Sequence, residues 1–170
     1  MKQRYFIEIS YKGKNYHGWQ VQPNAISVQE VLNVCLTKLL REEIHVVGAG
    51  RTDTGVHAKQ LFAHFDSVKK VKDVSQFLIR LNSFLPKDIA VKSLLEVGEE
   101  AHARFDAEAR TYEYFVVQQK NPFEEDSAYL IYKSLNLEAM NQAAKRLFEF
   151  QDFTSFSKSD TQTKTNICKI

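Results

Sequence analysis

Cysteine is scarce: only Cys35 and Cys168 occur, far apart and outside any Cys-x-x-Cys spacing. That excludes a disulfide framework and a structural metal knuckle. The five histidines, His17, His45, His57, His64 and His102, form neither an i, i+4 pair nor a flanked cluster, so no metal is expected. Neither a GxGxxG nor a phosphate-loop lysine motif is present, and a nucleotide cofactor has no support. No apolar run approaches the roughly 18 residues of a membrane span. Glu8 interrupts the N-terminal stretch where a secretory signal needs continuous apolarity. The expected location is cytoplasmic, with no membrane partner. Charge of one sign is lacking too, since 23 basic less 21 acidic residues leave +2. A nucleic-acid partner must therefore be argued from where the cations sit.

What is present suits a packed soluble chain. Hydrophobic residues make up 44% and charged residues 26%, and 170 residues suffice for one domain or for one and part of a second. Tyr5, Ile7, Ile9 and Tyr11 alternate with Phe6, Glu8 and Ser10, the period of a half-buried strand. Ser27-Val28-Gln29-Glu30 reads as a capping box, and Val28, Val31, Leu32, Cys35, Leu36, Leu39 and Leu40 then form one helical stripe. Cys35 lies in that stripe and reads as a small buried hydrophobe.

Short strands are predicted over 44–47 and 60–66. A second helix starts at Asp73 with Gln76 and stops before Pro86, and a fourth strand runs over 89–97. The order strand, helix, strand, strand, helix, strand predicts an α+β, ferredoxin-like (RRM-like) βαββαβ unit with an antiparallel sheet, one face of which stays open for a ligand. The expected layout is this unit over 1–100 and the beginning of a second, incomplete one over 101–170. In the second, Thr111 to Val117 reads as a strand, Met140, Ala143, Ala144, Leu147 and Phe148 as a helical stripe, and 166–170 as a final strand.

The densest cluster of functional residue types is the loop Gly48 to Ala58, GAGRTDTGVHA. Arg51 and Asp53, two apart, project to the same side of an extended segment and can pair, which favours the ionised carboxylate suited to nucleophile or base duty. The alternative is a surface turn, because Asp-Thr-Gly is also ordinary turn chemistry. An aspartic protease is disfavoured, since its dyad needs two such aspartates in an apolar setting and Arg51 would keep Asp53 charged. His57 reads as holding the loop rather than transferring a proton. Arg110, Tyr112 and Tyr114 are expected on one face of a strand, where rings and cations can stack an unpaired base and grip its phosphates. The competing reading is a strand with core tyrosines. Lys12 and Lys14, with Tyr16, His17 and Trp19, mark either an RNA-facing edge or a plain hairpin.

Gly50-Arg51-Thr52-Asp53-Thr54-Gly55-Val56-His57-Ala58 resembles, residue for residue, the signature loop of the tRNA pseudouridine synthase A family. Tyr11-Lys12-Gly13 through Gly18-Trp19-Gln20, and His102-Ala103-Arg104-Phe105 through Arg110-Thr111-Tyr112-Glu113-Tyr114, are similar to that family's other motifs, in its order. The resemblance implies an isomerase that converts uridine to pseudouridine at positions 38 to 40 of the tRNA anticodon arm, without a cofactor and as a homodimer. It also implies that Asp53 is the catalytic aspartate, Arg51 the arginine that pairs with it and Tyr112 the tyrosine beside the target uracil. Arg104, Arg110, Lys12, Lys14 and His57 are the further expected RNA contacts. The chain departs from the family at Gln151, where histidine is usual ahead of Asp-Phe, and it resembles a member shortened after residue 170. The other function to weigh is a non-catalytic fragment that binds RNA weakly.

Overall fold

The N-terminal alternation forms strand β1, Gln3–Tyr11, in which Tyr5, Ile7, Ile9 and Tyr11 are buried and their neighbours are not. In this computed structural model, which describes residues 2–157 and 165–170, β1 is followed by α1 (Val28–Leu40), β2 (Val47–Gly48), β3 (Ala58–Ser67), α2 (Val74–Phe84) and β4 (Ile89–Val97). The sheet order is β2-β3-β1-β4, every neighbouring pair antiparallel. That is the α+β arrangement of a ferredoxin-like unit, with the first and third strands central.

Each helix starts where its cap places it. The Ser27 hydroxyl accepts from the Glu30 N–H at 3.2 Å, and the Asp73 carboxylate from the Gln76 N–H at 2.9 Å. From α1, Val28, Leu32, Cys35, Leu36 and Leu40 go into the core, and from α2 Phe77 and Leu81 join them. Replacing one of the fully buried leucines by alanine costs about 2–5 kcal/mol at such sites. Strand β4 is an edge. A bulge shifts its register between the Glu8 and Ile9 pairings, and there the Asn82 amide bonds both backbone groups of Val91, at 2.8 Å each, closing part of the edge to other chains.

The strand predicted over 44–47 shrinks to Val47–Gly48. Ile44 and Val46 are buried as their alternation demands. Their N–H groups, however, go to side chains of α1: Ile44 to the Thr37 hydroxyl at 3.0 Å and Val46 to the Asn33 amide oxygen at 2.8 Å. Gln29 takes the Val46 carbonyl at 2.7 Å, so the helix occupies the backbone groups that a ladder would use.

The sheet face turned away from the helices carries Phe6 and His64, stacked with centroids 6.0 Å apart. His64 is buried, its Nδ1 accepts from the Ala103 N–H at 3.2 Å, and the His102 ring meets it edge-on at 4.6 Å. Burial, with His102 and Arg4 adding to it, pushes its pKa down to about 4. The folded protein therefore holds the ring neutral, while the unfolded chain binds a proton below about pH 6.5. Stability is full above that pH and falls, by up to ~3 kcal/mol, as pH drops from about 6.5 to about 4. Urea denaturation across that range should show this slope in the wild type and a flatter one in His64→Phe. Equal slopes would remove the assignment. Beside this cluster Arg4 and Asp66 form a bidentate pair at 2.7 and 2.8 Å, which holds the Asp66 carboxyl below the usual range.

The chain forms two compact units, Met1–Tyr112 and Glu113–Ile170, with the division after Tyr112 rather than after residue 100. The second holds a parallel pair, β5 (Val116–Val117) with β6 (Tyr129–Leu130), and helix α3 (Leu137–Lys145), continued as a 3-10 turn over Arg146–Glu149. Thr111 to Phe115 is irregular: the ladder with β6 begins only at Val116, although the Phe115 carbonyl already accepts from the Tyr129 N–H at 2.7 Å, and of the expected strand over 166–170 a single bridge from Ile167 to Asp152 is found. The stripe of α3 exists as a helix but buries no residue. No helix among the described residues is long and apolar enough to cross a membrane.

Candidate active site

The loop over 49–57 leaves β2 and re-enters the sheet at Ala58, opposite Tyr11 at the end of β1. It is held from the side by the segment between β1 and α1. The Trp19 N–H donates to the Thr52 carbonyl at 3.1 Å, and the Gly55 N–H to the Tyr16 carbonyl at 3.3 Å. The Gly13 N–H donates to His57 Nδ1 at 2.9 Å, so the imidazole ties the loop to its brace. Tyr11 and Thr52 share a hydroxyl bond at 2.8 Å. These approaches are too close for side chains: a Cβ on Gly18, whose φ is +81°, would collide with the Thr52 carbonyl, and one on Gly13 with that of Val56. The brace is anchored in turn. Tyr16 is buried and donates its hydroxyl to Asp88 at 2.6 Å, Asn15 meets the same carboxylate at 3.0 Å, and the Lys12 N–H reaches the Asp88 carbonyl at 2.9 Å.

Thr52 is thus fixed through both its carbonyl and its hydroxyl, while its neighbours Arg51 and Asp53 are exposed. From Asp53 the chain turns: the Val56 N–H donates to the Asp53 carbonyl at 3.2 Å, with Gly55 at φ +81° in the position that demands a positive angle. The turn reading of Asp-Thr-Gly therefore holds, and the turn leaves the Asp53 side chain exposed.

Arg110 and Tyr112 come from irregular chain after β4, not from a strand face. The Arg110 guanidinium donates to the Ala49 carbonyl through Nε at 3.1 Å and Nη2 at 2.6 Å, and to the Arg104 carbonyl at 3.0 Å. It clasps the start of the loop, and a Cβ on Gly50 would lie 3.3 Å from its Nε. Arg104 is half-buried, with its guanidinium 6.0 Å from the centre of the Phe105 ring. The Tyr112 side chain is 63% exposed. Its phenol lies close enough to Tyr11 to help raise the latter's pKa, a rise due first to burial and opposed by the Thr52 bond. Tyr112, Tyr11, Thr52 and Asp53 thereby converge at one end of the sheet, while Tyr114 falls in the second unit. Lys12 and Lys14 are exposed at and inside the 3-10 turn Gly13–Asn15.

Sequence reasoning missed the brace itself: Gly13, Tyr16, Gly18 and Asp88 do the positioning. Two glycines flanking a buried aromatic, on a segment without a hairpin partner, were the available signal. Among the described residues no group of three or more His, Cys, Asp or Glu is placed to hold a metal ion.

The chain is similar to known proteins over this same architecture. A family model described as tRNA pseudouridine synthase matches residues 8–106, from β1 through the loop to the segment that bears Arg104. The chain is 54% identical over 168 residues to tRNA pseudouridine synthase A of Bacteroides thetaiotaomicron, covering 99% of this chain and 62% of that protein. It is 52% identical to the protein of the same name from Bacteroides fragilis, covering 99% and 67%. With that of Thermoanaerobacter sp. it shares 39% identity over 163 residues, 95% of this chain and 66% of the relative. The chain therefore spans about 62% of the length of the first of these. With the loop, its brace and the 102–106 segment all inside the matched span, the chain belongs to the tRNA pseudouridine synthase family.

Proposed function

We propose that the protein isomerises uridine to pseudouridine in the anticodon stem-loop of tRNA, at positions 38 to 40, with Asp53 as the catalytic carboxylate. The observation that carries this reading is the exposed carboxylate beside a residue, Thr52, tied down at both carbonyl and hydroxyl. Preorganisation of this kind places a reacting group without further loss of freedom at the moment of reaction. The reaction breaks the bond from N1 to C1′, turns the ring and joins C5 to C1′; N1 gains a proton and C5 loses one. It is redox-neutral, requires no energy donor, and leaves no task for a cofactor. Asp53 serves it either by attack at C1′ or by removing a ribose proton.

The target base must leave its stack, which costs a few kcal/mol. In this reading Arg51 fills the vacated space and the ring of Tyr112 lies against the uracil. Arg104, Lys12 and Lys14 supply phosphate contacts, and the protein works as a homodimer in the cytoplasm. A second reading is a module that binds RNA without turning it over. Release of tritium from tRNA labelled at C5 of uridine separates the two. Release above background supports catalysis, and its absence alongside salt-sensitive tRNA binding supports the module.

Arg110 sits differently, because its guanidinium is already engaged by two backbone carbonyls. It is a positioning residue in this reading. Lysine cannot reproduce the fork that meets Ala49 through two nitrogens. Arg110→Lys is expected to lower kcat roughly tenfold, the order produced by a small misplacement of a reacting group, with KM for tRNA changed less than about twofold. A rise in KM at unchanged kcat would instead assign Arg110 to substrate binding.

A further inference from the structure

The catalytic reading uses one end of the sheet, and the opposite end carries a separate charged feature. A cleft lies between the C-terminus of α1 and the start of α2, floored by Leu40, Val71 and Phe77. Of its eleven lining residues, Arg41, Lys69, Lys70, Lys72 and Arg80 are basic and only Asp73 is acidic. The cleft thus holds 5 − 1 = +4, while the rest of the chain holds 18 − 20 = −2. The near-neutral total hides a concentrated positive field.

Within the cleft, Lys69 Nζ donates to the Leu40 carbonyl at 2.5 Å and Lys70 pairs with Glu96 at 3.5 Å. Asp73 is occupied in capping α2. The side chains of Arg41, Lys72 and Arg80 have no ion pair or hydrogen bond among the described residues, and all three are exposed. Gathering like charges raises self-repulsion and attracts counter-ions. Three long, unengaged cations around an open cleft with a mostly buried apolar floor suit several phosphates of a polymer better than one enclosed anion.

The position narrows the ligand. The 49–57 loop precedes Ala58 and the cleft begins just after Ser67, so the ten residues of β3 separate them, about 30 Å at strand rise. We propose that this cleft is a second RNA-binding surface, which holds the phosphate backbone of the tRNA away from the target uridine. The proposal rests on the tRNA reading above and deepens it: one folded RNA long enough to span that distance reaches both ends of the sheet.

The test uses the full chain with two probes, an unmodified tRNA and its isolated anticodon-arm hairpin. The triple variant R41E/K72E/R80E is compared with K38E/K120E/K145E, which changes net charge equally at exposed sites outside the cleft. The neutral triple R41Q/K72Q/R80Q serves if the charge reversal fails to fold. Loss of three phosphate contacts should weaken tRNA binding roughly tenfold or more near 0.1 M salt and reduce the salt slope by about 2–3. Hairpin binding, and tRNA binding by the control triple, should move less than about threefold.

Unchanged tRNA affinity in the cleft variant overturns the proposal, as does an equal loss with both probes. A variant that keeps its tRNA affinity but loses binding to vesicles of anionic lipid overturns it in favour of a membrane surface. Wild-type protein with no salt-sensitive tRNA binding brings down the tRNA reading as well. Tritium release by wild type, with a cleft variant of intact tRNA affinity, overturns the cleft alone.

Discussion

Asp53→Asn is expected to reduce tritium release from C5-labelled tRNA by roughly 10³-fold or more, the scale seen when an enzyme loses the group that does its chemistry. Binding of tRNA should stay within about twofold. Asparagine keeps the shape of the side chain, and the turn at residue 53 is closed by the Asp53 carbonyl, the Val56 N–H and the positive φ of Gly55. The loop's ties through Ala49, Thr52, Gly55 and His57 run to groups other than the Asp53 carboxylate. Amide replacement therefore separates reactivity from architecture. Turnover near wild type would reassign the chemistry to another residue, and a parallel collapse of binding would show that Asp53 organises the RNA surface instead.

The second large effect is structural and lies just behind that loop. Trp19 is 1% exposed, and its indole packs on Gly48 so closely that a Cβ there would sit 2.5–2.7 Å from three of its ring atoms. Trp19→Ala should cost about 3–5 kcal/mol, read as a lower urea midpoint at unchanged slope. Gly48→Ala errs in the opposite sense, overfilling the same space, at about 1–3 kcal/mol. The two sites are in direct contact, so their effects should couple. With Trp19→Phe, a smaller ring leaves room for the new methyl, and the double variant with Gly48→Ala should lose less than the sum of the singles by about 0.5–3 kcal/mol. Simple additivity would mean that the backbone moves to absorb the clash.

These two sites also mark where the sequence is informative and where it is not. The candidate loop is legible because its functional residue types are contiguous, from Gly50 to Ala58. The helices are legible because cap and stripe agree: Ser27 with Glu30 ahead of Leu32 and Leu36, and Asp73 with Gln76 ahead of Phe77 and Leu81. Ile44 and Val46 show the limit. Alternation reports which side chains are buried, and both are, but not which partner takes their N–H groups; Thr37 and Asn33 of α1 compete successfully with a strand. Thr111 to Phe115 shows it again, since alternation does not say where a ladder begins, and the pairing with β6 starts only at Val116. The brace escaped for a different reason. Gly13, Gly18 and Asp88 act on residues 34 to 76 positions away, through backbone groups, close approach and the Asp88 carboxylate, and no local pattern encodes such contacts.

The clasp of Arg110 on Ala49 joins residues 61 apart in sequence. A chain is synthesised at about 5–20 residues per second, so roughly 3–12 s pass between the appearance of Ala49 and that of its clasp. By then β4 has already emerged, because it ends at Val97. Sheet and helices can close around Tyr5, Ile7 and Leu32 while the Arg110 bonds to the loop are still missing. The order of synthesis thus completes the scaffold first and secures the 49–57 loop last.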